Sequence, residues 1–116
     1  MILLTMIFLH IVDDYYLQGI LAQMKQKKFW KEQAPDEKYK HDYIWALIMH
    51  AFSWTFMVML PLAFVTAVGP LFYVLFAANV AIHAYVDHMK ANQFKINLWQ
   101  DQLAHMTQIV LTFIVL

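Results

Sequence analysis

Four apolar runs constrain this chain more than any other feature. They cover about residues 2–24, 43–68, 71–89 and 98–116, and each approaches the roughly 20 residues a helix needs to cross a hydrocarbon core. Inside a bilayer every backbone N–H and C=O must be satisfied within the protein, so only helices and closed barrels span it. A barrel requires residues alternating inward and outward between frequent turns. That alternation is missing, and the chain has only two Gly and three Pro. The expected fold class is therefore all-α: an integral membrane four-helix bundle forming a single transmembrane domain, 1–116. Composition agrees, with 62% hydrophobic and only 14% charged residues, where soluble domains sit near half and a quarter.

The links between the runs set an orientation. Every basic residue is Lys, and six of the eight lie between Lys25 and Lys40, in a polar segment of about residues 25–42 broken by Pro35. Gly69 and Pro70 make a tight turn between the second and third runs, and "KANQFKIN" joins the third to the fourth. In an up-and-down bundle the two lysine-bearing links share one side. The positive-inside rule makes that side cytoplasmic and places both termini on the non-cytoplasmic side. Trp30, Tyr39, Tyr43, Trp45 and Trp99 lie near these links, as an interfacial aromatic belt would. The first run has no basic leader and no small-residue cleavage motif, so it reads as a span rather than a cleaved signal. Pro61 is expected to kink the second span. The localisation implied is a bacterial inner (cytoplasmic) membrane, crossed several times.

Ionisable residues interrupt these runs in a pattern. The first carries "HIVDD", with His10 and Asp14 four apart. The second carries His50, the third His83 and Asp87, and the fourth Asp101 and His105. Residues four apart share a helix face, so each pair aims two donors at one spot. At about 1.5 Å per residue, His50 lies about 10 Å from the lysine side and Asp87 and His83 about 3–9 Å from it. Asp101 and His105 fall at similar depth, and His10 and Asp14 somewhat deeper. Such groups cost roughly 2.5–3.5 kcal/mol each near a helix centre even on the lenient insertion scale, so a shared layer implies a shared site. Three carboxylates repel one another; two divalent cations and one hydroxide would balance them. His and Asp supply the nitrogen and oxygen donors such ions take.

His10, Asp14, His50, His83, Asp87, Asp101 and His105 are thus the candidate metal ligands. Asp14, Asp87 and Asp101 are the candidate catalytic groups. Gln18, Asn79 and Gln102 lie beside or a turn from these residues and are expected to orient them by hydrogen bonding. Asp13 falls about 100° around the helix from Asp14 and is expected in a supporting or entry-side role. His41 and His88 are expected at the solvated interface. Lys25, Lys28 and Lys90 are candidates for contact with a headgroup or phosphate. The eight Met are scattered at helical spacing and read as core packing. Without cysteine there is neither a disulfide framework nor thiolate ligation. Zero net charge and the absence of a recognition module argue against a nucleic-acid partner.

Taken in order, these motifs resemble a family of small bacterial and phage membrane proteins catalogued as domain of unknown function 3307. The resemblance runs through His10, Asp14, Leu17 and Gln18 in "HIVDDYYLQ", His50, then His83, Asp87 and Lys90 in "HAYVDHMK", and Asp101, Gln102 and His105 in "DQLAH". It covers nearly the whole chain, apart from a longer charged insert after the first helix. That family is similar to membrane-bound metal-dependent hydrolases, which implies hydrolysis as an activity.

The leading functional expectation is a membrane-embedded hydrolase with two divalent metal ions, zinc first and manganese or iron as alternatives. One aspartate would bridge them, and a metal-activated water would attack a phosphoester or other ester of a lipid-like substrate near the cytoplasmic interface. A metal or proton transporter or sensor would use the same residue types, although the outer halves of three runs are almost wholly apolar. A third reading is a phage structural or host-interaction protein clamped by metal. The partners implied are the lipid bilayer and the substrate, with a homo-oligomer left open.

Overall fold

The two central apolar runs become the two longest helices. In the computed structural model, which describes residues 1–116, α4 spans Asp42–Ala63 and α5 spans Pro70–Ala91. Between them, the backbone N–H and the hydroxyl of Thr66 both donate to the Leu62 carbonyl and close the end of α4. Gly69 then caps α5, with Pro70 in its first turn, where a missing N–H is harmless. Pro61 falls in the last turn of α4. The chain is all-α, 79% helical and without strands.

The first run behaves differently. Helix α1, Ile2–Val12, passes into a π-helical turn at Asp13–Leu17. The chain then breaks at Gly19, whose φ of +53° only glycine adopts without strain. Two short helices follow, α2 at Leu21–Met24 and α3 at Lys27–Gln33, then a 3-10 turn at Glu37–Tyr39. The continuous helix expected to Met24 is therefore replaced by a helix to Leu17 and a bend. The last run forms α6, Leu98–Val115, started by a reciprocal capping box between Asn97 and Gln100. The Asn97 side chain accepts from the Gln100 N–H at 2.9 Å, and the Gln100 side chain accepts from the Asn97 N–H at 3.0 Å.

The bend after Gly19 turns the lysine-rich segment back over the bundle end. The Asn92 side chain, just after α5, donates to the Lys25 carbonyl at 2.9 Å and accepts from the Lys27 N–H at 2.7 Å. The first and third links therefore meet at one end. Helix α4 packs on both α1 and α5, and α6 closes the bundle against α5 and α1.

The interior is as polar as it is apolar. Of 23 buried residues, twelve are hydrophobic and eleven polar or charged, among them four His and three Asp. The outside shows the reverse, with Phe8, Phe52, Phe56, Tyr73, Val74 and Ile114 all exposed. Only 28% of the apolar window of α5 lies inside the molecule, so most of its apolar side chains face outward. The segment Glu37–Ala63 and α5 are each long and apolar enough to cross a membrane.

Candidate metal centre

All seven proposed ligands converge at the end of the bundle where the links meet. His10, Asp14 and His50 come from α1, its π turn and α4; His83 and Asp87 from α5; Asp101 and His105 from α6. Six of them are buried, and the Asp14 side chain is 9% exposed. Two overlapping groups, Asp14–His50–His83 and His83–Asp87–His105, have donor atoms within 4.8 Å of one another and can hold a metal ion.

Individual distances sharpen this. Donors about 2.0–2.1 Å from a tetrahedral ion stand about 3.3 Å from each other. His50 Nε2 lies 3.0 Å from His83 Nε2, 3.2 Å from Asp87 Oδ2 and 3.4 Å from Asp14 Oδ1. His105 Nε2 lies 3.2 Å from Asp87 Oδ1 and 3.3 Å from Asp101 Oδ1. The two oxygens of Asp87 therefore belong to two donor sets, one built on His50 and one on His105. Asp87 is the hub.

His10 stands apart from both sets. Its Nδ1 accepts the Trp54 indole N–H at 2.7 Å, and its Nε2 meets Gln102 Oε1 at 3.0 Å. With Nδ1 accepting, Nε2 must donate, so in this arrangement neither nitrogen is left for an ion. Trp54 is the floor of the layer: fully buried, it stacks on His83 at 4.1 Å and 20° and touches His10 and His105.

The supporting residues separate into those near the ligands and those further off. Gln18 donates to Asp14 and lies 3.2 Å from His50 Nε2. Gln102 joins His10 to Asp101 Oδ2, 3.1 Å from its Nε2. Asn79 makes no hydrogen bond to a candidate ligand; it bonds to Thr112 and Gln108, and Gln108 Oε1 sits 3.3 Å from His105 Nδ1. Asp13, expected to point away, is buried beside the site. The wider π turn admits it alongside Asp14. Asp13 Oδ1 accepts from Ser53 at 2.7 Å, and Oδ2 faces His50 Nδ1 at 3.9 Å. Neither of those two facing atoms has a hydrogen-bond partner.

Two lysines also enter the site. Lys25 Nζ reaches Asp87 Oδ2 at 2.7 Å, and Lys90 Nζ reaches Asp101 Oδ2 at 3.1 Å. Lys28 instead makes an exposed pair with Glu32. His88 stacks on Tyr43 at 5.9 Å, and His41 is exposed. The lysines change the charge balance read from the sequence: four carboxylates, Asp13 included, face two ammonium groups. With neutral imidazoles, the remaining two negative charges match one dication.

The layer opens outward. A cleft of about 370 Å³ runs from Asp14, Asp87 and Asp101 past Lys25 and Lys90 to the apolar walls of Tyr15 and Phe94. Phe94 holds a left-handed backbone (φ 55°) in the link between α5 and α6. The sequence motifs did not reveal Gln108, Ser53 or Trp54. Gln108 and Ser53 lie three residues beyond His105 and His50, and Trp54 four beyond His50, so helical spacing offered the signal. Comparison of the chain with protein-family profiles, curated proteins and solved structures finds no match.

Proposed function

We propose that the chain is a multi-pass membrane protein with both termini on the non-cytoplasmic side, acting as a metal-dependent hydrolase on a phosphoester of a lipid-like substrate. The observation that carries this reading is the continuity between two buried donor sets sharing Asp87 and a cleft that is cationic on one wall and aromatic on another. Helix α1 continued through its π turn to Leu17, and α6, complete the four crossings in this arrangement, their exposed apolar side chains facing lipid. The meeting of both lysine-bearing links at one end supports a cleft on the cytoplasmic side.

The donor set suits zinc, being nitrogen and carboxylate oxygen without sulfur. A bound divalent ion supplies Lewis acidity and activates water at neutral pH. The chain's own residues do the rest. Lys25 and Lys90 flank the cleft and draw the phosphate toward the site. Asp14 and Asp101 border both the cleft and a donor set, where each can take a proton from an attacking water. Tyr15 and Phe94 offer apolar surface to the tail. Charge balance accommodates one ion at rest, and a phosphate dianion in the cleft balances a second.

Metal analysis of the purified chain tests this directly. The expected result is one tightly held divalent ion, rising to two with inorganic phosphate, and chelator-sensitive turnover of phosphoester lipids. A stable chain that binds no metal overturns the proposal. A metal-bound chain inert to every phosphoester and ester tried supports the clamp reading instead.

A further inference from the structure

We infer that Gln108 holds the proton on His105 Nδ1, so that His105 Nε2, Asp87 Oδ1 and Asp101 Oδ1 together form a cation site. The inference rests on the metal-binding reading of this layer and deepens it. It starts from a backbone atom. The Asn79 carbonyl can only accept, and Gln108 Nε2 lies 3.3 Å from it and 3.1 Å from Asn79 Oδ1. Asn79 is held in turn, its Nδ2 donating to Thr112 Oγ1 at 2.8 Å.

Flipping the Gln108 amide would set its carbonyl oxygen against two oxygens of Asn79. The amide is therefore fixed, and Oε1 faces His105 Nδ1. An acceptor there requires Nδ1 to carry a proton. In the neutral ring Nε2 is then the bare nitrogen, 3.2 and 3.3 Å from two carboxylate oxygens that cannot donate. Three acceptors facing one another call for a cation between them. Without a metal a proton fills that space, and a divalent ion displaces it. Gln108, Asn79, Thr112 and His105 are all buried, so solvent does not compete for the relay. Gln108 is a positioning residue, two bonds removed from the site by way of His105.

The two donor sets consequently differ. His50 Nδ1 faces the Asp13 carboxylate, whereas His105 Nδ1 is backed by a neutral amide. A carboxylate raises ligand basicity more than an amide does.

Nitrogen-15 NMR of the full chain in detergent micelles, titrated with zinc, tests the inference. In the wild type His105 Nδ1 should stay protonated throughout, while Nε2 loses its proton as zinc binds. Gln108→Leu should release the tautomer and weaken zinc binding at His105 about 10–100-fold. An unprotonated Nδ1 in the wild type overturns the inference, as does Gln108→Leu with tautomer and affinity unchanged. Should Gln108→Leu fail to fold, the wild-type spectrum alone decides the tautomer. Zinc that binds elsewhere without perturbing Nε2 removes the cation site but spares the functional proposal; a chain that binds none of zinc, manganese and iron sinks both.

Discussion

At the linker end of the bundle the interior holds His50, His83, His105 and the carboxylates of Asp13, Asp87 and Asp101; at the opposite end it holds Met6, Val58, Met59, Leu62, Phe72 and Ile109. The same helices build both ends, and Trp54 marks the boundary. The apolar end holds together by shape, each contact small and replaceable. The polar end holds together by mutual obligation, since a buried polar group stripped of its partner costs more than the bond gained by forming it. Substitutions at the apolar end should therefore lower stability and leave metal content intact, and those at the polar end should lower both.

The largest effect is expected at the hub. Asp87→Asn removes a charge that meets Lys25, His50, His83 and His105. Breaking a buried ion pair by removing one partner costs about 3–5 kcal/mol, and both donor sets lose a carboxylate oxygen at once. Metal analysis should show near-complete loss of bound divalent ion. If Asp87→Asn keeps its full metal complement, Asp87 is not the hub.

Next comes the apolar end. Ile109→Ala in the fully buried cluster should cost about 2–5 kcal/mol through the cavity left behind, seen as a lower Tm. Metal content per folded chain should not change. If metal is lost in proportion, the two ends are coupled and the contrast between them is wrong. Trp54→Phe, at the boundary, should combine the two behaviours at smaller size. The ring stack on His83 survives, but His10 Nδ1 loses its donor, a penalty of about 1–3 kcal/mol for a buried acceptor. His10 Nδ1 also lies 3.3 Å from Asp14, so releasing the ring should disturb metal affinity measurably but modestly, by competition titration.

How much of this the sequence disclosed also divides between the two ends. Helices α5 and α6 were legible almost to the residue, because Gly69–Pro70 and the polar link bound them on both sides. The expected second span ran to Val68, while α4 stops at Ala63, since apolar content marks what lipid tolerates rather than where a helix ends. The layer itself was legible because histidine and aspartate four apart in an apolar run are costly to bury unless they meet partners. Three things were not. The break at Gly19 sits inside an apolar run, where hydropathy averages over it. The π turn that admits Asp13 leaves no mark on a pattern read at 3.6 residues per turn. Lys25 falls in the polar link between two apolar runs, and only the fold-back fastened by Asn92 shows its ammonium inside the site. Six of the seven candidate metal ligands lie on regular helices, whereas that lysine and Asp13 depend on irregular backbone. Periodicity finds the former and misses the latter.

Gly19 offers a smaller, sharper probe of that irregular backbone. A Cβ there would meet nothing within 4 Å, so Gly19→Ala acts through its φ of +53° alone. The expected cost is about 1 kcal/mol, a shift of a few degrees in Tm. Part of the population should relieve the strain by straightening the segment, which draws Lys25 away from Asp87. Lys28, with 76% of its side chain exposed, sits on the same segment but outside the site, and Lys28→Gln should alter neither stability nor metal binding, because exposed pairs contribute little. The informative comparison is therefore Gly19→Ala against Lys28→Gln on phosphate-dependent metal uptake. A deficit confined to Gly19→Ala means that the bend exists to deliver Lys25 to the site; equal behaviour means that the bend serves only to close the bundle end.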